Sequence, residues 1–440
     1  MSDGVLVRDP LWNTIRLDPV SVRIVDSSPF QRLRHIKQLG HAHLVYPGAT
    51  HTRFDHALGV FHLARQALGL MEEQGSTAGI DPVDLRLIPL AGLLHDIGHY
   101  PFSHALEELQ AGRIPGHHEA IAGRFLADAQ VAAALASVAP DAADRIESLI
   151  RGRSDHPLQG LVSGSLDLDK IEYLKRDARF CGVPFGEVDV DRLLHALTVA
   201  RDPETGRREV AVREKGVAAL ESLLFAKYQM FRNVYWHHAV RAATVLFKRL
   251  VADALDAGLI EAGELVGATD DGIVYRLADR ASRAGDERAA RLSGWIEDLR
   301  NRRLPKRAAE IVAAELHGTA GAWLDSDSPF KRRVEDTLSL ELGLPGGSVF
   351  LDYPEKTAMF ALDLLVVRRD GHVMRLGPTG QVGLIGLPGI SDELYRSARV
   401  MRLFTAGERR TVAAGKLASL AMMTAREIEQ RIEQGSTLLN

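Results

Sequence analysis

The sequence predicts a mainly α protein: a helical core over residues 1–258, then a smaller α+β region over 259–440. Three observations carry this. Apolar residues recur at helical spacing through most of the first 255 residues, and period-two runs appear only after Val349. A buried-looking apolar run, Ile88–Leu94, leads directly into His95-Asp96-Ile97-Gly98-His99-Tyr100-Pro101-Phe102-Ser103-His104.

Composition sets the outer bounds. The apolar fraction of 46% and charged fraction of 25% are those of an ordinary globular protein. The net charge of −4 demands no polyanion partner, although a local basic funnel, and with it nucleic acid, is compatible with it. The single cysteine, Cys181, excludes an internal disulfide and suits a reducing compartment. There is no run of membrane-spanning length and no signal-peptide pattern at the start, so a cytoplasmic protein is expected.

Residues Asp9–Pro19 read as an irregular entry with a turn or hairpin. From Ser21, the spacing of Val22, Val25, Phe30, Leu33, Ile36 and Leu39 predicts a helix that Gly40 stops, with Arg32, Arg34 and Lys37 on its other face. Val45–Thr50 is a turn. His51-Thr52-Arg53-Phe54-Asp55-His56 then opens a helix carrying Leu58, Val60, Phe61 and Ala64. The next helix runs to about Gly98, where Pro101 forbids continuation. His117-His118-Glu119 opens a further helix, Ala120 to Ala133. Asp169, Tyr173 and Asp177 fall at i, i+4 and i+8 on another, with Lys170 beside them. Arg213–Leu255 reads as one or two long helices with Leu220, Leu224, Tyr228, Phe231 and Tyr235 on one side. Trp295–Leu316 reads as a basic amphipathic helix. Ser348–Leu351, Ala361–Val367 and Val373–Leu376 read as strands, the last two joined by a turn at Arg369–His372, and Thr411–Gln434 as a closing helix.

Eleven of the seventeen histidines fall between His35 and His118. Burying that many ionisable groups is costly unless they are paired or bind a metal, and imidazole with carboxylate suits a divalent transition metal. His95 and His99 are four apart, which on a helix puts them on one face. This spacing is similar to the zinc-protease pattern, but Asp96 is a methylene too short for its base and Gly98 and Pro101 end the helix too soon. Each group also has a plainer reading: a lone histidine is more often a satisfied core residue, and a basic helix face is usually solvated.

Taken together, four stretches resemble the deoxynucleotide triphosphohydrolases of the HD-domain superfamily. They are Asp26–Gly40, Val45–Ala49, His51–His56 and His95–His104, and the likeness extends over about Asp9–Leu255. It is nearest to the sterile-alpha-motif/HD-domain enzymes and their bacterial relatives. The resemblance implies that His56, His95, Asp96 and Asp169 bind a divalent metal (iron, manganese, zinc or nickel, with magnesium on the phosphates). It implies that His104 acts near the α-phosphate, that Glu107 orients it and that His118 is the general acid. Arg53, His99, Lys170, Tyr173 and Lys227 would hold the triphosphate; Gln38, Asp177 and Tyr235 would contact the sugar; and Leu39 would crowd a ribose 2′-hydroxyl. The implied reaction is dNTP plus water giving deoxynucleoside and triphosphate. A homotetramer activated by GTP or dGTP is also implied, with Asp26, Gln31 and Arg34 at the guanine and Arg192, Arg213 and Lys215 at its phosphates or the subunit interface. The match departs at Val5, where the family's mammalian member has a lysine, and no sterile-alpha-motif domain precedes, so constitutive activity or another activator stays open.

Two further readings stand beside it: an HD phosphohydrolase acting on (p)ppGpp or nucleic-acid ends, and a non-catalytic nucleotide sensor or nucleic-acid scaffold. The sugar-pocket residues favour the triphosphohydrolase over the first, and the retained acid His118 weighs against the second.

Overall fold

Asn13 takes a left-handed conformation (φ 61°) and turns the chain back on itself, pairing β1 (Val5–Asp9) antiparallel with β2 (Asn13–Leu17). The computed structural model describes residues 4–439 apart from 317–319, 326, 355–361, 377–386 and 409. The hairpin expected at the start is thus present, its turn tied by the Asp9 carboxylate, which accepts from the Leu11 and Trp12 amides.

The single helix expected from Ser21 to Leu39 is broken. Helix α1 (Pro19–Val25), capped by Asp18, and the short α2 (Ser28–Gln31) are separated by an extended Ser27, and a 3₁₀ turn follows over Arg32–His35. Residues 36–38 then pair with 51–53 through Arg53 N–H to Ile36 O and Gln38 N–H to His51 O. That non-local pairing draws the segment out of the helix its apolar spacing favours.

A capping box, Thr52 with Asp55, starts α3 (Arg53–Glu73). Helix α4 (Pro82–Leu94) is apolar on every side from Leu87 and buried accordingly. It lies close along α3 because Gly92 has no side chain; a Cβ there would meet Val60 at 3.2 Å. It ends at Leu94, a turn earlier than expected. After α5 (Ser103–Leu106), the helix expected over 120–133 is two: α6 (His118–Leu126) and α7 (Ala129–Ala136), restarted by the Asp128 cap. Then come α8 (Ala142–Ile150), α9 (Gln159–Val162) and α10 (Leu168–Cys181), which Gly182 terminates at φ 68°. Helix α11 (Val190–Ala196) leads into two strands the periodicity did not signal, β3 (Leu197–Arg201) and β4 (Arg208–Arg213). The long segment beyond Arg213 is α12 (Val217–Met230), a π turn over Phe231–Tyr235, and α13 (His238–Asp256).

In the second region, α14 (Asp270–Ala284) and α15 (Glu287–Arg300) pack on α13. The basic helix expected over 295–316 is corrected: it stops at Arg300, and β5 (Lys306–Val312) follows. Arg302 has φ 56° and Pro305 lacks an N–H, so the helix cannot run on. Helix α16 (Pro329–Glu341) and β6 (Val349–Asp352) precede β7 (Leu364–Val367) and β8 (Val373–Leu376), which form the expected hairpin; Ala361 of the expected strand lies outside the described residues. After α17 (Leu387–Ala398) and β9 (Val400–Thr405), the expected closing helix is two, α18 (Ala414–Met422) and α19 (Ala425–Glu433), divided at the Thr424 cap.

The larger sheet has the order β3-β4-β7-β8, with β4 and β7 parallel, so its pairing crosses residue 258, the boundary expected between the two regions. The smaller sheet, β5-β9-β6, has its own core under α16, α18 and α19. The main core gathers α3, α4, α10 and α12. No helix among the described residues is long and apolar enough to cross a membrane.

Thr52 holds the α3 terminus that presents Arg53 and His56, so Thr52→Ala should cost about 1 kcal/mol of stability, read as a lower denaturant midpoint. A midpoint equal to the wild type would show that the cap contributes nothing.

Candidate metal centre and active-site cavity

His56, one turn into α3, and His95, the residue capping α4, direct their Nε2 atoms at one point, 3.2 Å apart. Asp169 on the first turn of α10 places Oδ1 at 2.9 Å from the His56 Nε2 and 3.5 Å from that of His95. Asp96 places its oxygens at 3.7 and 3.3 Å from the same two atoms. Two ligands held about 2.0–2.2 Å from a shared ion at tetrahedral or octahedral angles stand about 3.0–3.5 Å apart, so this spacing fits a metal.

Tautomers strengthen the case. The His95 Nδ1 lies 2.8 Å from the Gly92 carbonyl, which can only accept, and the His56 Nδ1 lies 2.6 Å from the Glu172 carboxylate. Each ring therefore carries its proton on Nδ1, and in the neutral form both Nε2 lone pairs face the two carboxylates. Such an arrangement is repulsive unless protons or a cation fill it. Without an ion, protons do: burial works against it, but the hydrogen bonds and charges of Asp169 and Glu172 push the His56 pKa up to about 10.

Glu172 can reach His56 because residue 59 is glycine. A Cβ on Gly59 would sit 1.9 Å from the Glu172 carboxylate. Glu172 had no role in the sequence reading, since it lies one residue off the Asp169–Tyr173–Asp177 stripe; its buried position is what marks it.

His95 and His99 do not share a helix face, contrary to the spacing. The helix ends at Leu94, and a tight turn through Asp96-Ile97-Gly98 brings His99 Nε2 to 2.9 Å from the same Asp96 Oδ1 that His95 approaches. Arg53 donates to the other Asp96 oxygen at 2.7 Å. Burial opposes ionisation of Asp96, but Arg53 and the histidines beside it hold its pKa well below the usual carboxylate range. Gly98 admits the start of α6, where an added Cβ would be 2.1 Å from the His118 carbonyl, and His118 stacks on His99 with ring centroids 3.6 Å apart. Glu107 lies between two histidines, 3.4 Å from His104 Nδ1 and 3.2 Å from His118 Nδ1. Burial raises its pKa, but these two contacts hold it below the carboxylate range.

A cavity of about 790 Å³ opens on this centre. Its lining includes His95, Asp96, Asp169, His104, Glu107, His118, Arg53, His99, Lys170, Tyr173, Lys227, Gln38, Leu39, Asp177 and Tyr235; His56 is buried behind it. Lys170 is engaged with Asp167 (2.5 Å) and the Gly164 carbonyl. Asp177 accepts from Tyr235 Oη at 2.6 Å and is 2.8 Å from His51 Nε2. The six residues assigned to an activating nucleotide lie outside the cavity in two groups. Gln31 and Arg34 are hydrogen-bonded together beside the exposed Asp26. Arg192 donates to the Lys215 carbonyl, while Arg213 contacts Gln74, Ser76 and Thr198.

Two outcomes are expected. The proton on His56 is held from below its ordinary pKa of 6.5 up to about 10, and a metal must expel it. Mn²⁺ affinity should therefore rise with pH across that window and release protons, as titration calorimetry in buffers of different ionisation enthalpy would report; a flat affinity would contradict the centre. Gly59→Ala should displace Glu172 and weaken Mn²⁺ binding roughly tenfold or more, whereas wild-type affinity would show that Glu172 does not support the ligand.

The chain matches the HD domain over residues 53–171 and the HD associated region over 188–382. It is 34% identical over 270 residues to an uncharacterized protein of Methanocaldococcus jannaschii, covering 61% of this chain and 54% of that one. It is 31% identical over 269 residues to the deoxynucleoside triphosphate triphosphohydrolase SAMHD1 of Xenopus laevis, covering 52% and 42%. The fold is similar to a phosphohydrolase from Bacteroides thetaiotaomicron, with a TM-score of 0.70 and 24% identity over 92% of this chain and 100% of that one. The chain spans about half the length of the curated relatives it matches. The HD match begins at Arg53 and takes in His56, His95, Asp96 and Asp169, the residues that converge here, so the chain belongs to the HD-domain family of metal-dependent phosphohydrolases.

Proposed function

We propose that the chain is a metal-dependent deoxynucleoside triphosphate triphosphohydrolase, converting dNTP and water into deoxynucleoside and inorganic triphosphate. One observation carries this reading. A single cavity is lined by three of the four metal-ligand candidates, the His104–Glu107–His118 group, the cations Arg53, Lys170 and Lys227, and the Tyr173–Asp177–Tyr235 group.

The division of labour follows from the side chains. His56, His95, Asp96 and Asp169 would hold a divalent ion, for which iron, manganese, zinc and nickel all suit the donor set, and the ion would supply Lewis-acid polarisation of a phosphoryl oxygen, with magnesium as a further candidate for the phosphates. Arg53, Lys170 and Lys227 neutralise the triphosphate, helped by His99 and Tyr173. As the oxygen of water bonds to the α-phosphorus and the bond to O5′ breaks, His118 donates a proton to O5′, and His104 stands beside the α-phosphate. Glu107 accepts from the Nδ1 of both rings, which turns their Nε2 atoms toward the substrate. Asp177 and Tyr235, with Gln38, offer partners to a sugar hydroxyl, and Leu39 meets a 2′ substituent. Residues 1–258 form the catalytic core and residues 259–440 an accessory region that adds Lys331 and Tyr353 to the cavity wall.

Regulation belongs to the same proposal. GTP or dGTP would bind with its guanine at Asp26, Gln31 and Arg34, with Arg192, Arg213 and Lys215 at its phosphates or at the interface of a homotetramer.

The test is product analysis by ion-exchange chromatography after incubation with each dNTP and with GTP, singly and mixed, in Mn²⁺ or Mg²⁺. Deoxynucleoside and triphosphate in equal amounts are expected; no turnover of any dNTP would overturn the reading. His118→Ala should lower kcat by about 10²–10⁴-fold with metal content unchanged, and unaltered turnover would remove His118 from the acid role. Arg34→Ala should abolish stimulation by GTP while leaving metal content intact; equal stimulation would place the activator elsewhere.

A further inference from the structure

We propose that the amino-terminal hairpin is part of the metal centre: Trp12, together with Arg176 and Asp9, is a positioning group that fixes Glu172 on His56 and so sets how tightly the ion is held. The inference rests on the metal reading of the site and goes beyond it to a segment distant in sequence from every ligand.

Glu172 divides its two oxygens. Oε2 faces the His56 Nδ1 at 2.6 Å; Oε1 accepts from the Trp12 indole Nε1 at 2.9 Å and from the Arg176 Nε at 2.7 Å. Arg176 reaches on to the Asp9 Oδ2 at 3.0 Å, and the Asp9 Oδ1 accepts from the amides of Leu11 and Trp12. A continuous path of polar contacts therefore runs from the hairpin turn to the ligand ring. Glu172 and Arg176 are fully buried.

An ordinary core ion pair would look different. Arg176 and Glu172 would meet as a bidentate fork, the favoured geometry of this pair. Here only Nε serves, the Arg176 Nη1 is left without a hydrogen-bond partner, and the second carboxylate oxygen is given to His56 instead. Trp12 helps to hold that orientation. Its indole N–H can only donate, and it shares Oε1 with the Arg176 Nε, so that one donor from the hairpin and one from α10 together hold the carboxylate with Oε2 on His56. Phenylalanine at position 12 keeps the aromatic packing but removes the donor. Glu172 is then free to swing toward Arg176, leaving the His56 ring without the acceptor that fixes its tautomer and raises its basicity as a ligand.

The experiment measures Mn²⁺ affinity by chelator competition, with the electron paramagnetic resonance spectrum of bound Mn²⁺ as a second readout that does not depend on turnover. Wild type, Trp12→Phe and Ile15→Val are compared at matched folded fractions. Ile15 is a buried residue of the same hairpin with no polar contact to Glu172, so its variant loosens packing alone. Trp12→Phe is expected to bind Mn²⁺ roughly tenfold more weakly with an altered spectrum, while Ile15→Val binds as wild type does. Wild-type affinity in Trp12→Phe, or an equal loss in Ile15→Val, would overturn the inference while leaving the metal reading intact. A wild-type protein that binds no Mn²⁺ would overturn both.

Discussion

Two imidazole nitrogens and two carboxylates are forced to one point inside this protein, and much of the core is arranged to keep them there. His56 comes from α3, His95 and Asp96 from the end of α4, and Asp169 from α10. The three helices belong to the main core, so the ligand atoms are positioned by packed elements rather than by loops. Burying three such groups beside a half-buried fourth, Asp169, would be strongly unfavourable on its own. Their outward partners make it tolerable: Glu172 and the Gly92 carbonyl behind the histidines, Arg53 and His99 beside Asp96.

Missing side chains matter as much as present ones. Gly92 lets α4 lie against α3, Gly59 admits the Glu172 carboxylate, and Gly98 admits the carbonyl of His118. Each lies within three residues of a ligand or on its helix. Phe102 adds a different constraint, a left-handed conformation at φ 53° just before α5, and it is packed between His41 and Phe247. That packing sets the entry of the short helix carrying His104, so α13 braces the turn that leads into it.

Much of this was legible in the sequence, because motifs and long periodic helices are local. The metal, catalytic and substrate residues named from the resemblance line one cavity, His56 excepted, while the six assigned to an activating nucleotide lie outside it, and the N-terminal hairpin and the β7–β8 hairpin announced themselves by turn chemistry. What was not legible depended on partners far away in the chain. Residues 36–38 leave their helix to pair with 51–53, β4 pairs with β7 about 150 residues later, and β9 pairs with β5 and β6, which lie about 50 to 100 residues earlier. Helix spacing also misled at His95 and His99, because the helix ends at Leu94 and a turn, not a helix face, brings the two rings to Asp96. Glu172 escaped notice for the same kind of reason: its role is set by the glycine opposite it, 113 residues earlier, which no periodicity reports.

The most direct measurement is an anomalous-scattering crystal structure of the protein grown with Mn²⁺. One strong peak is expected, equidistant from the Nε2 atoms of His56 and His95 and the carboxylates of Asp96 and Asp169, with the Nδ1 atoms still on Glu172 and the Gly92 carbonyl. A peak seated instead among His104, Glu107 and His118, or no peak at a concentration that saturates binding in solution, would contradict it.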